Sequence, residues 1–171
     1  MEKPVKLANA TVYKDNSEIV GIADAELPKV EFDAEALKGL GVAGEIEMPN
    51  PASIKPMACK LKFNTVTPAF ASLTAPTAHT ISILGSMQWH NPDDKTARYV
   101  QVRAFIIGWP KSSSSGKGEQ GKTMDAEIEF SVQVYKLEID GTVYYEIDPE
   151  NFKLMIDGTD YLADVRANLG K

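Results

Sequence analysis

The chain has 171 residues, a mass of 18.7 kDa and one cysteine, so it can bury a core without a metal ion or a disulfide. Its 43% hydrophobic and 25% charged residues are ordinary for a globular protein and exclude a disordered one. A net charge of −6 argues against tight nucleic-acid binding, which depends on lysine and arginine contacts with phosphates.

Apolar residues recur with a period of two along most of the chain, which predicts strands that bury one face. Tyr99–Trp109 is apolar on both faces, as expected of a strand covered on two sides. In chain order, the predicted strands are Thr11–Tyr13, Glu18–Ile22, Glu26–Phe32, Gly44–Met48, Met57–Phe63, Ile81–Trp89, Tyr99–Trp109, Glu127–Ile139 and Thr142–Ile147.

Turn and helix signals complete this outline. Asp140-Gly141 joins the last two predicted strands and indicates a type I′ hairpin turn. Pro68–Leu73 is expected to form a short helical turn. Asp160–Leu169 carries an apolar stripe, with Thr159 as its N-cap and Gly170 as its terminator, and predicts one helix packed on the sheet.

Two glycine-rich segments are predicted to be long loops. They are Asp33–Gly44 and Pro110–Lys122, and the second contains the tract Ser112–Ser115. Such segments have few apolar side chains to bury, so we expect the second to be mobile in the free monomer. Without an internal repeat or a linker, residues 1–171 are expected to form a single domain.

The motifs that could carry chemistry favour a protein without catalysis. Gly39–Gly44 matches G-x-G-x-x-G, but a strand-like segment containing Pro49 follows it, whereas a dinucleotide site needs a helix there. His79 and His90 lie at opposite ends of one predicted strand and cannot share a metal ion. Cys59 has no partner thiol and is expected to be a core residue. We therefore predict no enzyme activity, no metal and no cofactor.

The N-terminal sequence and the hydropathy of the chain indicate where the protein is made. The N-terminus lacks a signal-peptide pattern, and no window approaches the roughly 20 apolar residues of a membrane span. We therefore expect a soluble protein that is made in the cytoplasm and has no membrane partner.

Three acids, Asp125, Glu127 and Glu129, share one face of a predicted strand. The ordinary interpretation is a solvated strand face. The alternative is a surface that must not adhere to a polyanion such as DNA.

The C-terminal third resembles the end of the major tail tube protein of contractile-tailed phages. The resemblance rests on Tyr135–Gly141, Glu146–Asp148, Asn151, Asp157–Asp160, Leu162, Arg166 and Asn168–Gly170. Gly116–Gly121 is similar to that family's long-loop signature, and Leu27-Pro28 and the glycines at 39, 41 and 44 also have counterparts. The tract Ser112–Ser115 and the short tail after Gly170 depart from the family pattern.

The resemblance implies a mainly β fold, an antiparallel β-sandwich or partly open barrel with one flanking α-helix. It also implies hexameric rings stacked into a hollow DNA conduit inside a contractile sheath. The implied partners are further copies of the chain, the sheath protein, a baseplate initiator, a tail terminator, a tape measure protein and loosely held DNA. The implied location is the virion tail, assembled in the cytoplasm of a bacterial host.

Within this picture, Asp125, Glu127 and Glu129 are candidates for the lumen. The candidate inter-ring loop contains Ser112, Ser115, Gly116, Gly118, Glu119, Gln120 and Gly121. Family-like structural positions are Leu27, Pro28, Asp140, Gly141, Asp148, Gly158, Asp160, Arg166 and Gly170. The alternatives are the tube of a phage-tail-like bacteriocin or prophage remnant, which passes no DNA, and a monomeric β-sandwich binding module.

Overall fold

The computed structural model describes all 171 residues as twelve β-strands and two short α-helices. The first seven strands are β1 (Lys3–Lys14), β2 (Ser17–Ile19), β3 (Ile22–Glu26), β4 (Phe32–Leu37), β5 (Ile46–Ile54), β6 (Met57–Phe63) and β7 (His79–His90). The others are β8 (Ala97–Ser114), β9 (Ala126–Ile139), β10 (Thr142–Asp148), β11 (Lys153–Ile156) and β12 (Thr159–Asp160). The helices are α1 (Pro68–Leu73), between β6 and β7, and α2 (Ala163–Asn168), after β12.

Ten strands form one curled antiparallel sheet in the order β12-β11-β10-β9-β8-β7-β1-β2, and β6 and β3 join it through β9. The strand β9 is where the sheet divides, because its first half pairs with β6 and its second half with β10. No ladder joins β3 to β1, so the barrel stays open at that seam. The predicted mainly β, antiparallel and partly open fold is confirmed.

The core lies on the concave face of this sheet and contains 20 buried residues. On β6, Met57, Cys59, Leu61 and Phe63 are all buried and alternate with half-buried residues, as predicted. On β9, a register shift opposite Gly108 resets the alternation, so that Tyr135 rather than Val134 is buried. A side chain at 108 would come within 2.8 Å of the Ser131 carbonyl oxygen, which explains the glycine.

Three two-residue turns with positive φ build the hairpins. The predicted Asp140-Gly141 turn is confirmed, with φ of 52° and 78°. Asp157-Gly158, with φ of 49° and 79°, makes the same turn between β11 and β12. Asp15 and Asn16 do so between β1 and β2. Aspartate and asparagine tolerate the left-handed region better than other side chains, which suits them to these positions.

The two helices differ in how well the sequence predicted them. The helix α1 has the predicted bounds, and the Thr67 side chain accepts a hydrogen bond from the Phe70 amide at 3.2 Å. The helix α2 is shorter than the predicted 160–169, because Thr159 and Asp160 pair with β11 instead. The prediction of Thr159 as N-cap is therefore wrong, and Leu162 occupies that position. Neither helix is long and apolar enough to cross a membrane.

Several predicted boundaries in the first third of the chain are wrong. The strand β1 runs over twelve residues rather than Thr11–Tyr13, and most of it is exposed on both faces. The predicted strand Glu26–Phe32 does not form, since β3 ends at Glu26 and Pro28 follows without an amide hydrogen. The predicted loop Asp33–Gly44 begins too early, because β4 continues to Leu37.

The predicted loop Pro110–Lys122 also begins too early. The strand β8 continues through Ser114, and Ser112, Ser113 and Ser114 pair with the start of β9. These three serines and the start of β9 form a two-stranded ribbon. Its β8 side is exposed to solvent, so the strands pair without any alternation of apolar side chains. The actual loop covers residues 115–125.

Candidate assembly surfaces

The polar motifs of the chain do not converge on a catalytic centre. Gly39–Gly44 belongs to a hairpin tip, with strand β5 rather than a helix after it. His79 and His90 are the two end residues of β7. No group of three His, Cys, Asp or Glu side chains lies close enough to hold a metal ion. Burial raises the pKa of the Cys59 thiol to about 12, so it is a core group and not a nucleophile.

The outer edge of β1 is unpaired along most of its length. Lys3–Lys14 pairs with β7 on one side, but β2 covers only Val12–Lys14 on the other. No other backbone hydrogen bond reaches the residues before Val12, and the Ala10 amide donates to the neighbouring Asn9 side chain at 2.8 Å. An edge of this length is a template for another strand unless it is covered.

A second free edge faces the first across the open seam. The strand β3 pairs with β6 on one side only, and its Ala25 amide donates to the Asp24 carboxylate at 2.8 Å. Between the two edges lies a groove of about 510 Å³. We call it the seam groove. Its walls are Leu7–Val12 and Ile22–Ala25, and its floor is formed by Ile83, Gly85, Val102 and Ala104.

The strands β4 and β5 form a separate two-stranded sheet that pairs with no other strand. We call this sheet and its tip, residues 38–45, the hairpin arm. It carries five of the chain's exposed large apolar side chains: Leu37, Leu40, Val42, Ile46 and Met48. Leu40 at the tip is fully exposed, at 108%. An exposed apolar projection of this kind is typical of a surface that packs against a partner.

The predicted acidic strand face has a mixed charge. Glu127 lies opposite Lys62 of β6, and Glu129 lies opposite Lys60. On the other side of β9, the Lys111 ammonium lies 3.7 Å from the Glu129 carboxylate. Lysines on the neighbouring strands therefore lie beside the acids of β9. The alternation within β9 alone could not show this, because it depends on how the strands pair.

We call this surface of the sheet, which faces away from the core, the polar face. On β3, Asp24 and Glu26 lie opposite Lys62 and Lys60 and extend the alternation by one strand. Asp125 lies outside β9, where its carboxylate accepts a hydrogen bond from Thr123 at 2.9 Å. The structure therefore brings Glu127 and Glu129 together and sets Asp125 apart at the base of a loop.

The β8–β9 loop has an ordered base and an open tip. The Lys117 amide donates to the Met124 carbonyl oxygen, and the Met124 amide donates to the Asn64 carbonyl oxygen, both at 2.8 Å. Gly116 has a φ of +75°, and a Cβ there would lie 1.7 Å from the Met124 carbonyl oxygen. Gly118 and Gly121 have open space around them. Within the tip, the Lys122 ammonium pairs with Glu119 at 2.6 Å.

The family-like positions near the C-terminus hold the end of the chain to the sheet. Arg166 donates to the Asp160 carboxylate at 2.7 Å and to the Phe152 carbonyl oxygen at 3.0 Å. The hydrogen bond from Arg166 holds the pKa of Asp160 below its usual range. Asp148 accepts hydrogen bonds from the Asn151 backbone and side chain, which closes the turn after β10.

The remaining family-like positions lie in turns and at the seam. Gly141, Gly158 and Gly170 all have positive φ, which a glycine adopts without strain. Pro28 is buried just after β3, and Leu27 lines the seam groove.

Comparison with known proteins identifies a family and a shared fold. The phage tail tube protein FII family matches residues 4–170. The tail tube protein of Escherichia phage P2 is 27% identical over 177 residues, which cover 99% of each chain.

Two solved structures of the extracellular contractile injection system PVC share the fold. A chain of its sheath/tube terminator in the extended state has a TM-score of 0.57 and 14% identity, covering 80% of this chain and 97% of its own. A chain of its extended sheath–tube complex has a TM-score of 0.55 and 15% identity, covering 79% and 91%. The resemblance found in the sequence is confirmed. Since the family match extends over almost every residue, the chain belongs to the phage tail tube protein FII family.

Proposed function

We propose that this tail tube protein forms hexameric rings that stack into a hollow conduit for DNA inside a contractile sheath. The observation that carries the proposal is the pair of free strand edges on β1 and β3, together with the unpartnered hairpin arm. Each surface is costly in an isolated monomer, because unpaired strand edges and exposed apolar patches favour aggregation. In a polymer, copies of the chain cover them.

The surfaces differ from one another, so a contact between two of them is heterologous. Heterologous contacts close into a ring when the rotation is suitable and continue as a filament when it is not. One chain with several such surfaces supports both the ring and the axial stacking. Assembly then follows mass action, so we expect a monomer in dilute solution.

We propose that the polar face lines the bore. Four carboxylates there, Asp24, Glu26, Glu127 and Glu129, alternate with Lys60 and Lys62, and Lys111 reaches Glu129. A surface of nearly balanced charge holds a DNA duplex only weakly, because screening confines each interaction to roughly 8–10 Å. Asp125, at the base of the β8–β9 loop, extends this lining at one end of the strand.

Reversing the charge of Asp125, Glu127 and Glu129 to lysine tests the lining. The expected result is tubes that form normally but deliver DNA poorly, because three lysines in each subunit would replace three carboxylates and make the lining attract the duplex. Lysine at Glu150, Asp157 and Asp164, which lie outside the polar face, is the matched control. If the first variant delivers DNA as well as the wild type does, these three acids do not line the bore.

We propose that residues 115–122 of the β8–β9 loop, with Ser112 at the edge of the adjoining ribbon, reach an adjacent ring. The tip carries Gly118, Glu119, Gln120 and Gly121, and it is exposed throughout. Ordering it on assembly costs roughly 1–2 kcal/mol for each backbone residue, which opposes spontaneous stacking and favours a templated start. Amide hydrogen exchange should slow in this loop between monomer and tube, and equal exchange would refute the contact.

The proposed partners follow from this role. They are further copies of the chain, the sheath protein, a baseplate initiator, a tail terminator, and a tape measure protein and DNA in the lumen. The proposed location is the virion tail, with assembly in the bacterial host's cytoplasm. A bacteriocin tube would use the same surfaces without DNA, and capsid and terminase genes beside this one would favour a phage.

Negative-stain microscopy of concentrated protein, with and without an initiating baseplate, tests the proposed function. Rings or hollow rods are the expected result. A protein that remains monomeric in both conditions and binds a ligand in the seam groove would instead be a β-sandwich binding module.

A further inference from the structure

We propose that the seam groove of one subunit receives the hairpin-arm tip of a second copy, with Leu40 and Val42 as the inserted side chains. The inference deepens the proposed function and rests on it, because it names the two surfaces that meet when copies assemble. Both surfaces belong to this chain, and neither has a partner within it.

The groove offers apolar contacts and unpaired backbone groups together. Of its 19 lining residues, 13 are hydrophobic, and many are small, including Ala8, Ala10, Ala23 and Ala25 along the two rims. Small rim residues let another backbone approach the strand edges closely. The amides of Ala10 and Ala25 are held only by their neighbours' side chains, so an incoming carbonyl oxygen can replace those bonds.

The tip offers the complementary features. Leu40 is fully exposed and Val42 is 38% exposed, so both carry apolar surface that nothing in the chain covers. Gly39, Gly41 and Gly44 have no atom within 4 Å of an ideal Cβ, and the tip makes a single backbone hydrogen bond, from the Val42 amide to the Gly39 carbonyl oxygen. Its other backbone groups are free to pair with the rims of a groove.

The geometry of the hairpin arm favours a second copy as the occupant. The six residues of β4 extend the tip by roughly 20 Å at about 3.3 Å per residue, which suits contact with another molecule. Within the tip, the Lys38 ammonium pairs with the Glu45 carboxylate at 3.0 Å, so the tip is electrically balanced and meets the groove with its apolar side chains. Since groove and tip are different surfaces, the contact is head-to-tail and repeats along an assembly.

Two inserted side chains bury too little surface to hold two free monomers together on their own. The contact should therefore be detectable in assembled protein and absent from dilute monomer. This dependence separates it from a ligand site, which would fill at any protein concentration.

Disulfide trapping in assembled protein tests the inference. Chains with Leu40→Cys and chains with Ala10→Cys are mixed, assembled and oxidised, and peptide mass spectrometry identifies the linked residues. Cys59 is fully buried and stays out of the reaction. The expected result is a 40–10 link at least tenfold more abundant than the link between Leu40→Cys and Ser131→Cys, because Ser131 lies on the polar face of β9. Equal yields in tubes that form normally would overturn the inference.

Substitution of Leu40 provides a second readout. The Leu40 side chain is fully exposed in the monomer, so Leu40→Asp and Leu40→Met should both unfold at the wild-type temperature. Leu40→Asp should raise the protein concentration needed for assembly at least tenfold, whereas Leu40→Met should assemble like the wild type. Wild-type assembly by Leu40→Asp would overturn the inference and leave the proposed function intact. Failure of the wild-type chain itself to assemble would overturn both.

Discussion

Replacing Gly116 by alanine should destabilise the protein, because two independent constraints exclude a side chain there. The φ of +75° lies in the left-handed region, where an L-residue costs about 1–2 kcal/mol. The new Cβ would lie 1.7 Å from the Met124 carbonyl oxygen, so the two segments must separate. Separation breaks the hydrogen bond from the Lys117 amide, worth about 0.5–1.5 kcal/mol. The expected loss is roughly 2–3 kcal/mol.

Thermal unfolding of dilute monomer, followed by circular dichroism, measures this loss. For a chain of this size, about 1 kcal/mol lowers Tm by roughly 2–4 °C, so the expected decrease is roughly 4–12 °C. Gly118→Ala is the matched control, since nothing lies within 4 Å of its ideal Cβ, and it should leave Tm within about 2 °C of the wild type. Equal Tm values for the two variants, with unchanged hydrogen exchange at Met124, would refute the account of the loop base.

Three further predictions concern the core and the C-terminal end. Because the folded-state pKa of Asp160 is depressed by Arg166, its stabilising effect is complete above the unfolded pKa of about 3.9 and is lost as the pH falls through the folded value. The protection factor of the Leu162 amide, which is the intrinsic rate at the same pH divided by its measured exchange rate, should fall over that acid range in the wild type and stay constant in Asp160→Asn. Cys59 should react with a thiol reagent at pH 8 at least about 100-fold more slowly in folded than in urea-unfolded protein, and similar rates would contradict its burial. Phe130→Ala should cost about 3–5 kcal/mol in urea unfolding, since Phe130 is fully buried, and a loss below about 1 kcal/mol would contradict the core assignment.

The strands that the sequence predicted best are those with one buried face. On β6 and the first half of β9, core contact requires an apolar residue at every second position, so the period is visible in one dimension. Residues 3–11 of β1 are exposed on both faces, and only their pairing with β7 holds them extended. Pairing between segments so distant in the chain leaves no local signal. Ser112–Ser114 is also exposed and is held extended by pairing with the start of β9, so it has no apolar alternation to reveal a strand.

The assembly surfaces were predictable only in part. The glycine cluster indicated a loop at the tip of the hairpin arm, but not that β4 and β5 would stand apart from the sheet. Glu127 and Glu129 were recognisable as one strand face, whereas the lysines opposite them depend on the register between β6 and β9. The seam groove exists because β3 and β1 face each other without pairing, which depends on the path of the whole sheet. No single segment carries that information.

A helical reconstruction of assembled protein by cryo-electron microscopy tests the central claim most directly. The account predicts a hollow tube of six-membered rings in which the β1 edge before Val12, unpaired in the monomer, contacts a neighbouring copy. Solid filaments, or a tube in which that edge and the hairpin arm both remain exposed to solvent, would contradict it.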